Sequence, residues 1–191
     1  MHLGKVMVVF GTRPEAIKMA PVIKELKKVE DIQTIVAVTA QHRDMLDQVL
    51  SLFKIVPDYD LNLMQKQQDL YTITTGVLNG LREILVKEKP DLVLVHGDTS
   101  TTFVAALASF YERIHVGHVE AGLRSYNRRM PEEINRVLTD HVSTFLFAPT
   151  DLALRNLIQE GIDTTLIRVV GDVMYDATIF YRSKARAPDW F

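Results

Sequence analysis

Six short apolar runs punctuate the chain: Val6–Phe10, Thr34–Thr39, Leu92–Val95, Ile114–Val119, Phe145–Ala148 and Ile167–Val170. Most of them lack polar–apolar alternation, and that most constrains the fold. A strand with one wet face alternates; a strand covered on both faces does not. Between the runs, apolar residues recur at helical spacing. Met19, Val22, Ile23 and Leu26 do so, as do Leu46, Val49, Leu50 and Phe53, and Val104, Leu107, Ala108 and Tyr111. Leu70, Ile73, Val77 and Ile84 predict a longer helix over 69–88. Pro21 is expected to kink or restart the first helix. Gly161 is expected to end a helix over 150–160. Strands buried on both faces and alternating with helices predict an α/β fold with a doubly wound parallel sheet.

The remaining global features narrow the field. With 191 residues, 47% of them hydrophobic, the chain suits one α/β domain with room for a stub of a second. A net charge of −2 with interspersed signs gives no basic face for nucleic acid. The absence of cysteine excludes disulfides, thiolate metal sites and cysteine nucleophiles, and fits a cytoplasmic protein. No apolar run is long enough for a membrane span, and no signal-peptide pattern follows the N-terminus.

In an open parallel sheet, ligands bind beyond the carboxyl ends of the strands. Four polar clusters fall there: Gly11–Glu15, His96–Thr102, Glu120–Arg124, and Pro131–Glu133 opening a helix that carries Arg136. The first loop has neither GxGxxG nor a Walker lysine motif. Its glycine turn, Arg13 and the helix start behind it either hold a phosphate or leave Arg13 paired with Glu15 on the surface. Asp98 reads equally as a helix N-cap and as a site carboxylate. Glu120 ends an apolar run, so it must be paired or its pKa rises. Arg124 and Arg136 are its expected partners, in a structural bridge or in a site. Glu132 sits in a first helical turn, where the helix dipole alone explains a carboxylate. His115 and His118 should face opposite sides of their strand, and His96 and His118 are expected to be hydrogen-bonded strand-end residues. The histidines lack metal-ligand spacing, and neither a metal nor another cofactor is expected.

Six segments carry a family resemblance: FGTRPEAIKMAP (10–21), TAQHRDMLDQVL (39–50), VPDYDLNLM (56–64), VHGDTSTT (95–102), GHVEAGLR (117–124) and PEEINR (131–136). Together and in this order they closely resemble the non-hydrolysing UDP-N-acetylglucosamine 2-epimerases. The resemblance implies a Rossmann-like domain that is one half of a GT-B-like fold. Residues 1–172 would be the N-terminal domain, and 173–191 would begin the connection to a C-terminal domain absent from this chain. It implies interconversion of UDP-GlcNAc and UDP-ManNAc by elimination and re-addition of UDP. Asp98, Glu120 and Glu132 match the acid/base positions, and Arg13, Lys18 and Arg136 match polar substrate-binding positions. It also implies a homodimer in the complete enzyme, and little activity without the second half.

The chain departs from the family pattern in a short loop, Arg124–Glu133, where many bacterial members carry a longer one. Gln41 matches a position that relatives use to bind a second substrate molecule as activator, but Asp44 and Gln67 replace the residues expected beside it. Three other readings compete. One is a hydrolysing relative releasing UDP and ManNAc, another an inactive module that binds sugar nucleotide, and the third a GT-B glycosyltransferase. The third has no use for three proton-handling carboxylates.

Overall fold

The computed structural model describes residues 4–40, 43–63 and 69–182. Gln41 and Gln67 lie outside them, as does the side chain of Asp44. Among the described residues, seven parallel strands form one sheet. They are β1 (Gly4–Phe10), β2 (Ile32–Val38), β3 (Tyr59–Asp60), β4 (Leu92–His96), β5 (His115–Val119), β6 (Phe145–Ala148) and β7 (Ile167–Val169). Their order is β3-β2-β1-β4-β5-β6-β7. The order reverses direction between β1 and β4, which opens a crevice at their carboxyl ends.

Among the described residues, seven α-helices flank the sheet: α1 (Arg13–Leu26), α2 (Arg43–Phe53), α3 (Leu70–Glu88), α4 (Ser100–Tyr111), α5 (Pro131–Val142), α6 (Asp151–Gln159) and α7 (Val173–Arg182). The burial pattern explains the missing alternation. Val6, Val8 and Phe10 of β1 pack on one face with Met19 and Ile23 of α1 and Phe53 of α2. Met7 and Val9 pack on the other with Leu81 and Leu85 of α3 and Val104 of α4. A smaller cluster joins Leu146 and Ala148 of β6 to Leu157 of α6 and Ile167 of β7.

The expected elements appear with small shifts at their ends. Asp69 caps α3 by accepting from Thr72 N (2.7 Å), and Gly161 follows α6 with φ +85°. α1 does not restart at Pro21; it runs unbroken from Arg13 to Leu26. Strand β3 lies outside the six apolar runs. Its two residues pair only with Ala37 and Val38, too short a run to show any period. α7 returns to α1 and α2, where Phe180 and Tyr181 meet the Phe53 ring at centroid distances of 5.4 and 4.5 Å. No helix among the described residues is long and apolar enough to cross a membrane.

Candidate active site at the strand ends

The carboxyl ends of β1, β4 and β5 bring together Lys18, His96, Asp98, Glu120 and Arg136. Glu120 leaves β5 with φ +72°, a left-handed backbone that a residue with a Cβ adopts only under constraint. Its amide donates to Phe147 O (3.1 Å), and its side chain turns back toward β4 and α1. Lys18 Nζ donates to Oε1 at 2.6 Å, and His96 Nε2 lies 3.1 Å from Oε2. Burial opposes the charged form of Glu120, but the His96 ring and the Lys18 ammonium outweigh it and hold the carboxyl at about 2. At neutral pH Glu120 is a carboxylate.

The partners expected for Glu120 are therefore corrected: neither Arg124 nor Arg136 reaches it. Arg136 pairs instead with Asp98, and its Nη1 lies 3.3 Å from Glu133 Oε2. Arg124 is buried one layer back, donating through Nε to Glu160 (2.7 Å) and through Nη2 to Glu160 (2.6 Å), with Asp140 Oδ2 2.7 Å from Nη2. Burial works against its charge, but the two carboxylates hold its proton more firmly than in free arginine.

The N-cap reading of Asp98 is also corrected. Thr99 is the N-cap of α4, accepting from Thr102 N at 3.1 Å. That leaves the Asp98 carboxylate for Arg136, while Asn135 Nδ2 donates to the Asp98 carbonyl (3.0 Å). Gly97, with φ +74°, donates its N–H to Val119 O (3.1 Å) and so lays the Asp98 loop beside Glu120. Glu132 is exposed in the first turn of α5 and has no hydrogen bond or ion pair among the described residues. Its helical spacing from Asn135 and Arg136 puts it on the α5 face that meets the Asp98 loop.

The glycine loop behaves differently from a phosphate cradle. Glu15 is buried, and its Oε2 already accepts from Gly11 N (3.0 Å), Thr12 N (2.7 Å) and Thr12 Oγ1 (2.8 Å). Its Oε1 accepts from Thr99 Oγ1 (2.7 Å) and lies 2.9 Å from Thr102 Oγ1, whose single hydrogen is shared with the nearer His96 carbonyl. An internal carboxylate thus fills the start of α1 and ties the β1 loop to the β4 loop. Arg13 is exposed and does not pair with Glu15, which corrects the surface-pair reading. The spacing Thr12-Arg13-Pro14-Glu15 carried this signal as a capping-box pattern.

The two strand-end histidines differ. His118 is fully buried, with Nδ1 2.6 Å from Asp140 Oδ1 and Nε2 2.8 Å from Gly97 O. A carbonyl only accepts, so Nε2 donates there. Asp140 also receives Gly122 N (3.2 Å); burial opposes its charge, yet His118 and Arg124 hold its carboxyl below the ordinary range. His96 is the exception to expectation, since neither ring nitrogen makes a hydrogen bond among the described residues. His115 is exposed, facing away from His118 as predicted.

Chemically, this edge offers an ionised carboxylate held by an ammonium, a second carboxylate held by a guanidinium, and an exposed third on α5. No group of three or more metal-ligating side chains occurs among the described residues. A cavity of about 840 Å³ lies elsewhere, between α1 and α7, lined by Pro21, Val22, Leu26, Val29, Ile179 and Phe180 among others. It is away from these carboxylates.

Comparison with known proteins bears on this edge. The family model for UDP-N-acetylglucosamine 2-epimerase matches residues 24–189. The chain is 54% identical over 187 residues to a UDP-N-acetylglucosamine 2-epimerase of Salmonella typhimurium, covering 97% of this chain and 50% of that protein. It superposes on the Neisseria meningitidis UDP-GlcNAc 2-epimerase, solved bound to UDP-GlcNAc, with TM-score 0.92 and 55% identity, covering 94% of this chain and 49% of that one. A lipopolysaccharide outer core galactosyltransferase, 12% identical with TM-score 0.63 over 87% of this chain and 45% of that one, shares the fold alone. The chain spans about half the length of the curated relatives it matches.

Proposed function

The chain belongs to the UDP-N-acetylglucosamine 2-epimerase family, and from that premise we propose that it forms the proton-handling half of an enzyme interconverting UDP-GlcNAc and UDP-ManNAc. The observation that carries the reading is Glu120: an ionised carboxylate at a strand end, gripped by Lys18 and beside His96. In this reading a proton leaves C2 of the sugar for a carboxylate as the C1–O bond breaks. UDP departs with the bonding electrons, and a C1=C2 double bond remains. UDP then adds back at C1, and a proton returns to the opposite face of C2.

Two faces call for two proton-handling groups. Asp98 and Glu120 follow the ends of neighbouring strands β4 and β5, and Glu132 projects from the adjoining helix; these three are the proposed acid/base set. Arg13, exposed and unpaired among the described residues, Lys18 and Arg136 are the proposed partners of the substrate's negative charge. Gln41, outside the described residues, is proposed as a contact for a second, activating substrate molecule. The boundary at residue 172, the need for a C-terminal half, a homodimer of the complete enzyme and a cytoplasmic setting belong to the same proposal.

The test is incubation with UDP-GlcNAc in deuterated water, with and without a separately supplied C-terminal half from a relative. Deuterium at C2 of recovered UDP-sugar is expected when both halves are present. Free ManNAc would instead favour a hydrolysing relative. Neither product from the completed protein would overturn the enzymatic reading.

A further inference from the structure

His96 is the one described histidine whose ring is buried without a hydrogen bond. Its side chain is 4% exposed, and its backbone is pinned because the carbonyl accepts from Thr102 Oγ1 at 2.6 Å. A buried polar group left without a partner is destabilising, and an aliphatic side chain here would avoid that penalty. His118 sits one strand over at the same depth and satisfies both ring nitrogens. The fold can therefore saturate an imidazole, and at His96 it does not.

The groups facing Glu120 divide its two oxygens. Lys18 from α1 takes Oε1; the ring of His96 from the end of β4 faces Oε2 at 3.1 Å. Nothing else charged among the described residues pairs with Glu120, because Arg136 is engaged with Asp98 and Arg124 with Asp140 and Glu160. A bare ring nitrogen at that distance would set its lone pair against a carboxylate lone pair. The favourable arrangement puts the hydrogen on Nε2. The alignment is short of a full hydrogen bond, although Nε2 already faces Oε2 at 3.1 Å.

We propose that His96 is a positioning residue for Glu120, directing an Nε2 hydrogen at Oε2 while Lys18 holds Oε1, so that the carboxylate is presented in a single orientation. The inference rests on the proposed role of Glu120, but its test is independent of activity. The geometry also accounts for a left-handed backbone at Glu120: the two anchors reward the conformation that aims the side chain back across the sheet. It further explains why β4 ends in a histidine and not in another apolar residue.

The experiment is nitrogen-15 NMR of the His96 ring in the wild-type chain, with carbon-13 titration of the Glu120 carboxyl in wild type, H96Q and H96L. Glutamine keeps a donor at the distance of Nε2; leucine keeps the bulk and loses it. Nε2 is expected to carry a hydrogen at neutral pH. The Glu120 midpoint is expected to rise by roughly one pH unit in H96L and by less in H96Q. A bare Nε2 in wild type, or an unmoved midpoint in folded H96L, overturns the proposal. Should H96L fail to fold, the wild-type ring measurement still decides. If the completed wild-type protein shows no deuterium exchange, the functional reading falls while these ring and carboxyl results stand on their own.

Discussion

Lys18 Nζ lies 2.6 Å from Glu120 Oε1, joining α1 to the end of β5 across 102 residues of chain. The contact spans the point where strand order reverses, so it depends on β1, β4 and β5 being correctly assembled. It makes Glu120 a reporter of both site ionisation and fold.

Glu120 should leave a signature in the acid range. Its folded pKa, about 2, lies below the ordinary carboxylate value. A depressed pKa contributes stability that is present above the unfolded value and is lost as pH falls through the folded one. Glu120→Gln is therefore expected to flatten the loss of stability between about pH 4.5 and pH 2, by on the order of 1–2 kcal/mol once solvent screening is allowed for. Urea denaturation of both proteins across that range measures it; parallel curves would contradict the ion-pair assignment.

Glu15 predicts a large effect away from any substrate. Its removal strands the amides of Gly11 and Thr12 and the hydroxyl of Thr99, while Thr102 keeps the His96 carbonyl as its acceptor. Glu15→Ala should lower unfolding stability by about 3 kcal/mol, and Glu15→Gln by about half as much, since an amide turns one donor toward donors. A urea midpoint for Glu15→Ala within error of wild type would show that the two loops do not need their shared carboxylate.

Arg124 should not be replaceable by lysine. Its guanidinium contacts Asp140 and Glu160 at once, at 1% exposure. Arg124→Met leaves buried acids unpaired and is expected to cost about 3–5 kcal/mol. Arg124→Lys should recover little of that, because an ammonium cannot reproduce the fork. Thermal melts of the two variants with similar and lowered midpoints would agree; full rescue by lysine would not.

Two glycines with nearly the same φ separate backbone strain from crowding. Gly161 has φ +85° and open space where a Cβ would go; Gly122 has φ +83° and the Ala153 carbonyl oxygen 2.4 Å from that position. Gly161→Ala should cost about 1 kcal/mol, and Gly122→Ala about 3 kcal/mol or more, measured by chemical denaturation. Equal costs would mean that the β5–α5 segment yields to make room.

Much of the fold was legible because its signals are local and repeated. Burial on both faces removes alternation from a strand, and helical spacing marks α1, α2, α3 and α4. Asp69 and Gly161 marked helix ends that the structure keeps. What failed was pairing across distance. Glu120 has arginines four and sixteen residues away in sequence, yet both point elsewhere, because the turn at φ +72° sends its side chain back over the sheet toward Lys18. Asp98 was ambiguous because Thr99, one residue on, caps a helix equally well and does so here. Only the third dimension decides which of two adjacent capping residues is left free. Strand β3 had too few residues to announce itself.

The strand order also has a consequence in time. A ribosome adding about 5–20 residues per second releases Lys18 some 5–20 seconds before Glu120. For most of that interval β1 can pair with β2 but has no β4 beside it, and Lys18 and Glu15 stay hydrated without their later partners. The neighbourhood of Glu120 closes only when β4 and then β5 dock against an already emerged first third of the chain. A nascent polypeptide stalled before residue 115 would thus hold a folded-looking edge of sheet with no functioning corner. The carboxylate joins that corner only once β5 has been made, and Arg136 follows it on α5.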